Sequence, residues 1–337
     1  MLIARFWDEV DSRTVRCRLC PHNCLIRDKA FGICRVRQNI SQKLYSHTYG
    51  RVSSLNLDPI EKKPLYHFYP GEQILSVGSV GCNFRCQFCQ NYEISQTGPL
   101  DYSLRELTVD QILQLLKKYN LELFAFTYNE PLVNLEWLID VSKVLAEKNY
   151  KVVLVTNGYV NSEPAQELFP YIAAANVDLK SFSDSFYRKI CGGSLAPVLK
   201  TIEKLKEMGK WVELTTLLIP GLNDSPSEIA KIVDWVAQLD KNIPLHFSRY
   251  FPNYRMNNPA TDAKILLAAG EIARQKLSYV YIGNIELKNY SNTICPHCGN
   301  LLIRRSGYFT EIVGLKESPL RCQNCGKDIA IIMKKKV

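Results

Sequence analysis

Short runs of consecutive apolar residues recur through the middle of this 337-residue chain, and polar or amphipathic segments separate them. Such runs are typical of strands that are buried on both faces of a parallel sheet. The predicted strands are Ile74–Val80, Leu123–Tyr128, Val152–Thr156, Asn176–Leu179, Val212–Ile219 and Leu245–Tyr250. Strand and helix units in series predict an α/β domain with a parallel sheet. The pattern alone does not distinguish an open sheet from a barrel.

Three of the segments between these strands have the apolar spacing of amphipathic helices: 108–119, 134–149 and 225–239. Thr108 stands where a helix-capping residue is preferred, directly before the first of them. These helices would supply crossover connections between parallel strands.

Eleven of the twelve cysteines fall into three tight groups. The start of the chain lacks an apolar run followed by a small-residue cleavage site, so no signal peptide is predicted. No run approaches the ~20 apolar residues that a membrane span needs. Tight cysteine spacing in such a chain favours metal ligation over a disulfide framework, and we expect a cytoplasmic protein.

The central group is Cys82, Cys86 and Cys89, in a C-x3-C-x2-C loop directly after the first predicted strand. A cubane cluster normally takes four thiolates, so three leave one iron open for another ligand. This loop, with the aromatic Phe88 before its last cysteine, resembles the cluster loop of radical S-adenosylmethionine (SAM) enzymes. The resemblance implies a [4Fe–4S] cluster, SAM on the open iron, and a partial (β/α)6 TIM-like barrel. The spacing alone leaves a zinc knuckle open.

The resemblance also implies SAM contacts at the ends of later strands, where barrel enzymes gather their active sites. Asn129-Glu130-Pro131 resembles the Gly-Gly-Glu-Pro turn that binds the SAM amino group in the family, although Tyr128 and Asn129 replace the glycines. Asp178-Leu179-Lys180 resembles a motif of pyruvate formate-lyase activating enzyme. There an acid can bind ribose hydroxyls and a lysine can pair with the SAM carboxylate.

Four further residues are assigned to the SAM site by the same resemblance. Thr156 and Asn157 end the third predicted strand, Thr216 lies in the fifth, and His246 lies in the sixth. A plain Asn-Gly turn at 157–158 and a hydrogen-bonded core histidine at 246 are the structural alternatives.

The last cysteine group consists of two C-x2-C knuckles, each followed by glycine: Cys295, Cys298, Cys322 and Cys325. Four thiolates can enclose a tetrahedral zinc ion, and glycine permits the tight turn around it. We therefore predict a structural zinc ribbon, with strand material at 301–310. A rubredoxin-like iron site is the chemical alternative.

The first cysteine group also offers four thiolates: Cys17, Cys20, Cys24 and Cys34, with His22 as a spare ligand. Zinc and an auxiliary iron–sulfur cluster both suit these ligands. Zinc is preferred here because auxiliary clusters of the activating enzymes usually come from insertions after the radical loop. Cys191 lies outside all three groups and is predicted to be a free thiol.

Taken over nearly the whole chain, these features resemble the radical SAM member of the AmmeMemoRadiSam system. The resemblance is carried by Cys17–Cys34, Asp58–Phe68, Gly81–Gln96, Val280–Asn284 and the terminal knuckles. It implies a cysteine-rich segment at 1–70, a radical SAM core at 71–287 and a zinc ribbon at 288–337. It also implies a low-potential electron donor such as flavodoxin or ferredoxin, and partners resembling the Memo and AMMECR1 proteins.

Three functions follow from these patterns. The first is a radical SAM oxidoreductase that abstracts hydrogen from a protein, in the manner of a glycyl-radical activating enzyme. The second is radical modification of RNA or a small molecule, because a formal net charge of +9 leaves an RNA partner open. The third is a non-catalytic zinc or iron–sulfur binding module. The one dense basic run, Lys334–Lys336, is predicted to be a solvated tail.

Overall fold

The computed structural model describes residues 1–287, 289–317 and 319–334. The strands of its amino-terminal part are β1 (Leu2–Ile3), β2 (Trp7–Asp11), β3 (Thr14–Cys17), β4 (Leu25–Arg27), β5 (Arg37–Ile40), β6 (Lys43–Ser46), β7 (Arg51–Val52) and β8 (Ser54–Pro59). Six of them form two small antiparallel sheets, in the orders β1-β6-β5 and β2-β3-β4.

The central part alternates strands and helices. Its strands are β9 (Gln73–Gly78), β10 (Arg105–Glu106), β11 (Leu123–Phe126), β12 (Lys151–Thr156), β13 (Ala174–Asp178), β14 (Trp211–Leu218), β15 (Leu245–Arg249) and β16 (Val280–Gly283). Its helices are α1 (Tyr92–Ser95), α2 (Val109–Lys118), α3 (Leu135–Glu147), α4 (Ser162–Leu168), α5 (Asp184–Phe186), α6 (Leu195–Glu207), α7 (Pro226–Asp240) and α8 (Ala263–Arg274). Short 3-10 turns lie at Ile60–Lys62, Pro131–Asn134 and Phe169–Tyr171, and a π-helical turn lies at Tyr187–Cys191.

A mostly parallel sheet organises this part, in the order β16-β15-β14-β13-β12-β11-β9-β8. All six predicted strands are confirmed, with ends that shift by at most two residues. Two further strands were not predicted. Strand β16 has only four residues, and β8 reads Ser-Leu-Asn-Leu-Asp-Pro and pairs antiparallel with β9. The first is too short for a clear pattern, and the second has the mixed polarity of an edge strand.

The helices pack against one face of this sheet. Apolar residues of α2, α3, α6, α7 and α8 join strand residues such as Phe124, Leu154 and Leu214 in one large core. The three predicted helices are α2, α3 and α7, with ends that differ by at most two residues. Thr108 caps α2 as predicted, since its hydroxyl accepts from the Gln111 amide in a capping box. The opposite face carries polar side chains, among them Asn176, Glu213 and His246.

Residues 60–69 cover the lower part of that opposite face, at the amino-terminal ends of the strands. Ile60, Leu65 and Phe68 pack there with Ala125 and Val153. This segment follows β8, so the predicted 1–70 region contributes a strand to the main sheet and a cover to its face. The position supports a structural role for the Asp58–Phe68 string.

Buried hydrogen bonds hold this cover in place. His67 lies 2.6 Å from the Ala330 carbonyl through Nδ1 and 2.5 Å from the Tyr281 hydroxyl through Nε2. A carbonyl only accepts, so Nδ1 donates to it and Nε2 accepts from the tyrosine. Burial lowers the pKa of His67 to about 4, and the ring is therefore neutral at pH 7.

The last part of the chain is a small ribbon of short strands. These are β17 (Thr293–Ile294), β18 (Leu301–Ser306), β19 (Phe309–Ile312), β20 (Leu315–Glu317) and β21 (Leu320–Cys322). The predicted strand material at 301–310 is a hairpin, in which β18 pairs antiparallel with β19. The ribbon is anchored to the cover, because Arg305 Nη2 donates to the Tyr66 carbonyl at 2.7 Å.

The basic tail lies only partly within the described chain. Lys334 approaches Glu72 and Glu122 at 3.5 Å and 3.6 Å, so this lysine is not free in solvent. Lys335 and Lys336 lie outside the described residues. Within the described residues, no helix combines the length and apolar character needed to cross a membrane.

Candidate functional site

The cysteine loop follows β9 at the carboxyl end of the parallel sheet and carries Cys82, Cys86 and Cys89. Two of its sulfurs have hydrogen-bond partners: the Phe84 amide donates to Cys82 Sγ at 3.3 Å, and Ser95 Oγ lies 3.0 Å from Cys89 Sγ. Gly81 starts the loop with φ +84°, and a Cβ there would lie 2.5 Å from the Cys34 carbonyl oxygen. The loop therefore needs glycine at this position.

Asn129 forms hydrogen bonds to the backbone at the start of the cysteine loop. Its side-chain oxygen accepts from the Ser79 amide at 2.9 Å, and its Nδ2 donates to the carbonyls of Val80 and Gly81 at 3.1 and 2.9 Å. The side chain is thus committed to backbone groups that precede Cys82. Asn129 was assigned to SAM binding by resemblance, and that assignment stays a prediction.

Glu130 lies in the next turn and is buried. Its Oε1 accepts from the Leu132 amide and from the Thr156 hydroxyl, at 3.0 and 2.7 Å, while Oε2 accepts from the Asn157 amide at 2.7 Å. Burial raises the pKa of this carboxyl to about 7. Asn157 Nδ2 in turn lies 3.7 Å from Cys82 Sγ. The second and third strand ends therefore meet directly beside the cysteine loop.

The end of β13 brings a charged pair to the other side of the loop. Lys180 Nζ donates to Asp178 Oδ2 at 2.8 Å and lies 5.7 Å from the centroid of the Phe88 ring. Burial opposes the charged form of Lys180, but the carboxylate of Asp178 and the sulfur of Cys86 raise its pKa well above the usual value. The side chain of Lys180 is 12% exposed, so a cationic group faces the cysteines from a nearly closed site.

Thr216 and His246 lie in less direct positions. Thr216 Oγ1 is buried and donates to the Leu179 carbonyl at 2.7 Å, so it supports the turn between Asp178 and Lys180. His246 Nε2 lies 2.7 Å from Glu213 Oε2, and its ring packs against Tyr66 and Tyr281. This histidine is a hydrogen-bonded residue of the covered face. Within the described residues, neither side chain forms a hydrogen bond to the cysteine loop.

Cys191 belongs to this site, although its sequence context predicted only a free thiol. Its thiol hydrogen-bonds to Cys86, and chiefly for this reason the pKa of Cys86 is lowered, while burial acts in the opposite direction. The Cys191 carbonyl also accepts from the Arg85 amide at 2.7 Å. A Cβ at Gly193 would lie 2.3 Å from the Phe84 ring. The two glycines that follow Cys191 were the sequence signal that this segment packs closely against the cysteine loop.

Comparison with known proteins connects this geometry to a family. The sequence model of the radical SAM superfamily matches residues 76–236, which hold the cysteine loop, Glu130 and Lys180. An uncharacterized protein of Methanocaldococcus jannaschii is 41% identical over 333 residues, covering 98% of this chain and 99% of that protein. The chain belongs to the radical SAM superfamily.

More distant relatives cover only parts of this radical SAM protein. The pyruvate formate-lyase-activating enzyme of Staphylococcus epidermidis is 26% identical over 172 residues, 48% of this chain and 67% of that enzyme. The GTP 3',8-cyclase of Crocosphaera subtropica is 27% identical over 186 residues, covering 51% of this chain and 52% of the cyclase. The chain thus spans about half of the cyclase's length.

Among solved structures, Streptococcus suis SuiB bound to the precursor peptide SuiA shares the fold. It superimposes with a TM-score of 0.51 and 14% identity, covering 67% of this chain and 52% of that one. At this identity the likeness concerns the fold alone.

Superfamily membership implies a [4Fe–4S] cluster and SAM, and the residues fit both groups. Cys82, Cys86 and Cys89 supply thiolates for three irons. Lys180, Asp178 and Glu130 supply one cationic and two carboxyl groups around the same loop. SAM carries a carboxylate, an ammonium group and ribose hydroxyls, so each has a side chain of suitable chemistry nearby.

The ribbon cysteines form a second, compact site. The sulfurs of Cys295, Cys298, Cys322 and Cys325 all lie within 4.8 Å of one another. The Cys295–Cys325 and Cys298–Cys322 sulfur pairs are each 3.7 Å apart. A four-thiolate site for one metal ion is thereby confirmed, and its geometry suits zinc and a rubredoxin-like iron equally.

The amino-terminal cysteines also gather around one point. Cys17, Cys20, Cys24 and Cys34 line the same small cavity. His22 was predicted as a spare ligand, but its Nε2 lies 2.8 Å from the Asn83 carbonyl and is engaged with the radical loop. The possible metal ligands at this site are thus the four thiols, and His22 links the site to the radical loop.

Proposed function

We propose that this protein is a radical SAM oxidoreductase that cleaves SAM reductively and abstracts hydrogen from a substrate. The observation that carries the proposal is the Asp178–Lys180 pair, which stands beside Cys86 and Phe88 at the carboxyl end of the sheet. A zinc knuckle has no need of a buried cation next to its thiolates. A site that binds a zwitterionic ligand at an open iron does.

We infer that the sheet curls into a partial barrel around this site. All helices that join the large core lie on one face of the sheet, whereas a doubly wound sheet carries helices on both faces. The other face holds polar side chains and the cover formed by residues 60–69. This arrangement supports a closed chamber at the carboxyl ends of the strands.

The chain's residues would bind and orient SAM. Lys180 has three N–H donors and gives one to Asp178, so two can reach the SAM carboxylate. The second carboxylate oxygen of Asp178 can accept from ribose hydroxyls. Glu130 Oε2 accepts one backbone N–H and keeps a lone pair for the SAM ammonium group. The reduced cluster, when bound, supplies the electron that divides SAM into methionine and a 5′-deoxyadenosyl radical.

We propose a protein as the substrate, in the manner of glycyl-radical activating enzymes. The similarity to a pyruvate formate-lyase-activating enzyme and the Asp-Leu-Lys motif support this choice. A flavodoxin or ferredoxin would supply the electron, and Memo-like and AMMECR1-like proteins are the proposed partners. The clustered cysteines support a reducing, cytoplasmic setting, with zinc in the ribbon.

A small molecule is the second candidate substrate. The similarity to a GTP 3',8-cyclase extends over as much of this chain as the similarity to the activating enzyme does, at nearly the same identity. The similarities to known proteins are therefore compatible with either kind of substrate. RNA modification rests on the net charge of +9 and on the four-thiolate ribbon.

The reaction is tested by anaerobic reconstitution of the protein with iron and sulfide, followed by SAM and dithionite. We expect 5′-deoxyadenosine to form, and to be absent when dithionite is left out. SAM binding by the cluster-loaded protein without any 5′-deoxyadenosine would contradict the proposal.

The substrate class is tested with a fully deuterated extract of the source organism, separated by size. Hydrogen abstraction from a deuterated substrate transfers deuterium to 5′-deoxyadenosine, which mass spectrometry detects. We expect transfer from the large-molecule fraction, with sensitivity to protease. Transfer from the small-molecule fraction, or sensitivity to nuclease instead of protease, would overturn the protein assignment.

A further inference from the structure

The amino-terminal and ribbon sites offer the same four thiolates but hold them at different separations. A tetrahedral zinc ion with Zn–S bonds of about 2.3 Å needs sulfurs about 3.8 Å apart. The ribbon meets this requirement, with two sulfur pairs at 3.7 Å. Over residues 1–287, 289–317 and 319–334, no other group of cysteine, histidine or acidic side chains brings three ligand atoms within 4.8 Å of one another. The amino-terminal sulfurs are therefore not drawn together as tightly as the ribbon sulfurs.

These sulfurs nevertheless face a common space. All four line one cavity, whose other walls include the apolar side chains of Ile26, Ile33 and Val133. Cys17, Cys20 and Cys34 are buried, and Cys24 is half-buried. The four thiols therefore converge on one small cavity.

The radical loop also lacks the compact packing of the ribbon. Cys82, Cys86 and Cys89 belong to a cubane site by family membership, and within the described residues their three sulfurs are not brought within 4.8 Å of one another. Thiolates on different irons of a cluster are separated by the irons and sulfides between them, whereas thiolates on one ion are not. In this respect the amino-terminal group is like the cluster loop and unlike the ribbon.

We propose that Cys17, Cys20, Cys24 and Cys34 bind a second iron–sulfur cluster, and not the zinc ion favoured by the sequence analysis. Four thiolates close this site, so no iron is left open for SAM, in contrast to the radical loop. The inference extends beyond the proposed SAM chemistry and does not depend on the identity of its substrate.

The proposed cluster would lie directly against the radical loop. The carbonyl of Cys34 is in close contact with Gly81, which precedes Cys82, and the His22 ring bonds to the carbonyl of Asn83. A redox-active group has a reason to occupy this position, because the neighbouring site must receive an electron. A purely structural ion has no such reason.

The test uses the full-length variant Cys82→Ala/Cys86→Ala/Cys89→Ala, in which the radical loop has no thiolate. After anaerobic reconstitution, iron, zinc and acid-labile sulfide are measured on the purified protein. We expect iron and sulfide in equal amounts, together with the visible absorption of an iron–sulfur cluster. A variant that holds zinc and lacks sulfide would overturn the proposal. Iron without sulfide would also overturn it, because a rubredoxin-like ribbon explains that result.

A second comparison keeps the test independent of how the triple variant folds. In the unmutated protein, sulfide should exceed that of the variant Cys20→Ala/Cys34→Ala by about twofold, since one of two clusters is lost. Equal sulfide in both proteins would contradict the second cluster. Because SAM cleavage is not measured, failure here would leave the proposed function intact.

Discussion

The radical loop and the terminal ribbon both gather cysteines, but they differ in number and in surroundings. The loop presents three thiolates beside the charged pair Asp178–Lys180 and the carboxyl group of Glu130. The ribbon presents four thiolates, of which Cys295 and Cys322 pack with apolar residues, whereas Cys298 and Cys325 are exposed. Four thiolates complete the coordination of a metal ion, whereas three thiolates leave a coordination position at which a charged ligand can bind. Between these two regions, the count of thiolates therefore separates a site that can take a further ligand from a closed metal site.

The largest effect should follow from Cys86→Ala. This change removes a ligand that the open cluster cannot replace, so 5′-deoxyadenosine formation should fall to the level found without protein. Cys298→Ala in the ribbon is the matched cysteine change, and it should retain SAM cleavage per bound cluster. The comparison between the two regions fails if both variants lose activity equally at full cluster content.

The next effect should follow from Cys322→Ala, which removes a fully buried ribbon ligand. Metal binding contributes directly to the folding of small four-thiolate modules, so the ribbon should lose about 4 kcal/mol or more of stability. Denaturant unfolding and zinc content measure this loss. Gln323→Ala, an exposed neighbour, is the control and should change neither. Unchanged zinc content in Cys322→Ala would contradict a closed four-thiolate site.

Lys180→Ala tests the charged side of the radical loop. Hydrogen bonds to charged groups contribute about 1.5–3 kcal/mol, so KM for SAM should rise by roughly 10- to 100-fold. The measurement is initial-rate formation of 5′-deoxyadenosine at varied SAM. Lys204→Ala on α6 removes a lysine from a surface pair with Glu207 and should leave KM unchanged. Equal KM values for both variants would remove Lys180 from the SAM site.

The smallest effect concerns His67, at the junction between the cover and the ribbon. Its pKa of about 4 in the folded protein lies below the ordinary value of 6.5, because burial opposes the charged ring. The unfolded chain therefore takes up a proton first as the pH falls. Stability should drop by about 2 kcal/mol between about pH 7 and pH 5 through this group.

His67→Asn should flatten that pH dependence, since asparagine does not titrate. Denaturant unfolding of both proteins across this range measures the two slopes, and all other titrating groups are shared. Identical slopes would show that His67 is not held neutral at the junction of cover and ribbon.

Much of the fold could be predicted because the signals are local. The apolar runs located six strands, and Thr108 located a helix start that the structure forms with a capping box. Strand β8 was not predicted because its mixed polar and apolar residues give no clear strand pattern. It forms a strand by pairing with β9. Strand β16 escaped because four residues carry too little pattern.

Within the candidate site, motif positions predicted which residues meet, but not what each one does. Glu130, Asp178 and Lys180 converge on the loop as strand-end residues of a parallel sheet should. Asn129, in contrast, donates hydrogen bonds from its side-chain amide to the loop backbone, and His246 pairs with Glu213. These partners lie 33 to 50 residues away in the chain, where spacing carries no information.

The sequence by itself determined the number of thiolates in each group, because ligand count is a property of composition and spacing. It also determined the order of strands and helices, since hydrophobic periodicity is local. Only the tertiary structure decided how far apart the sulfurs stand, and that distance separates the compact ribbon from the less compact amino-terminal group. It also placed Cys191 against Cys86 and His22 against the radical loop. Such contacts join segments remote in the chain, and packing of the whole core sets them.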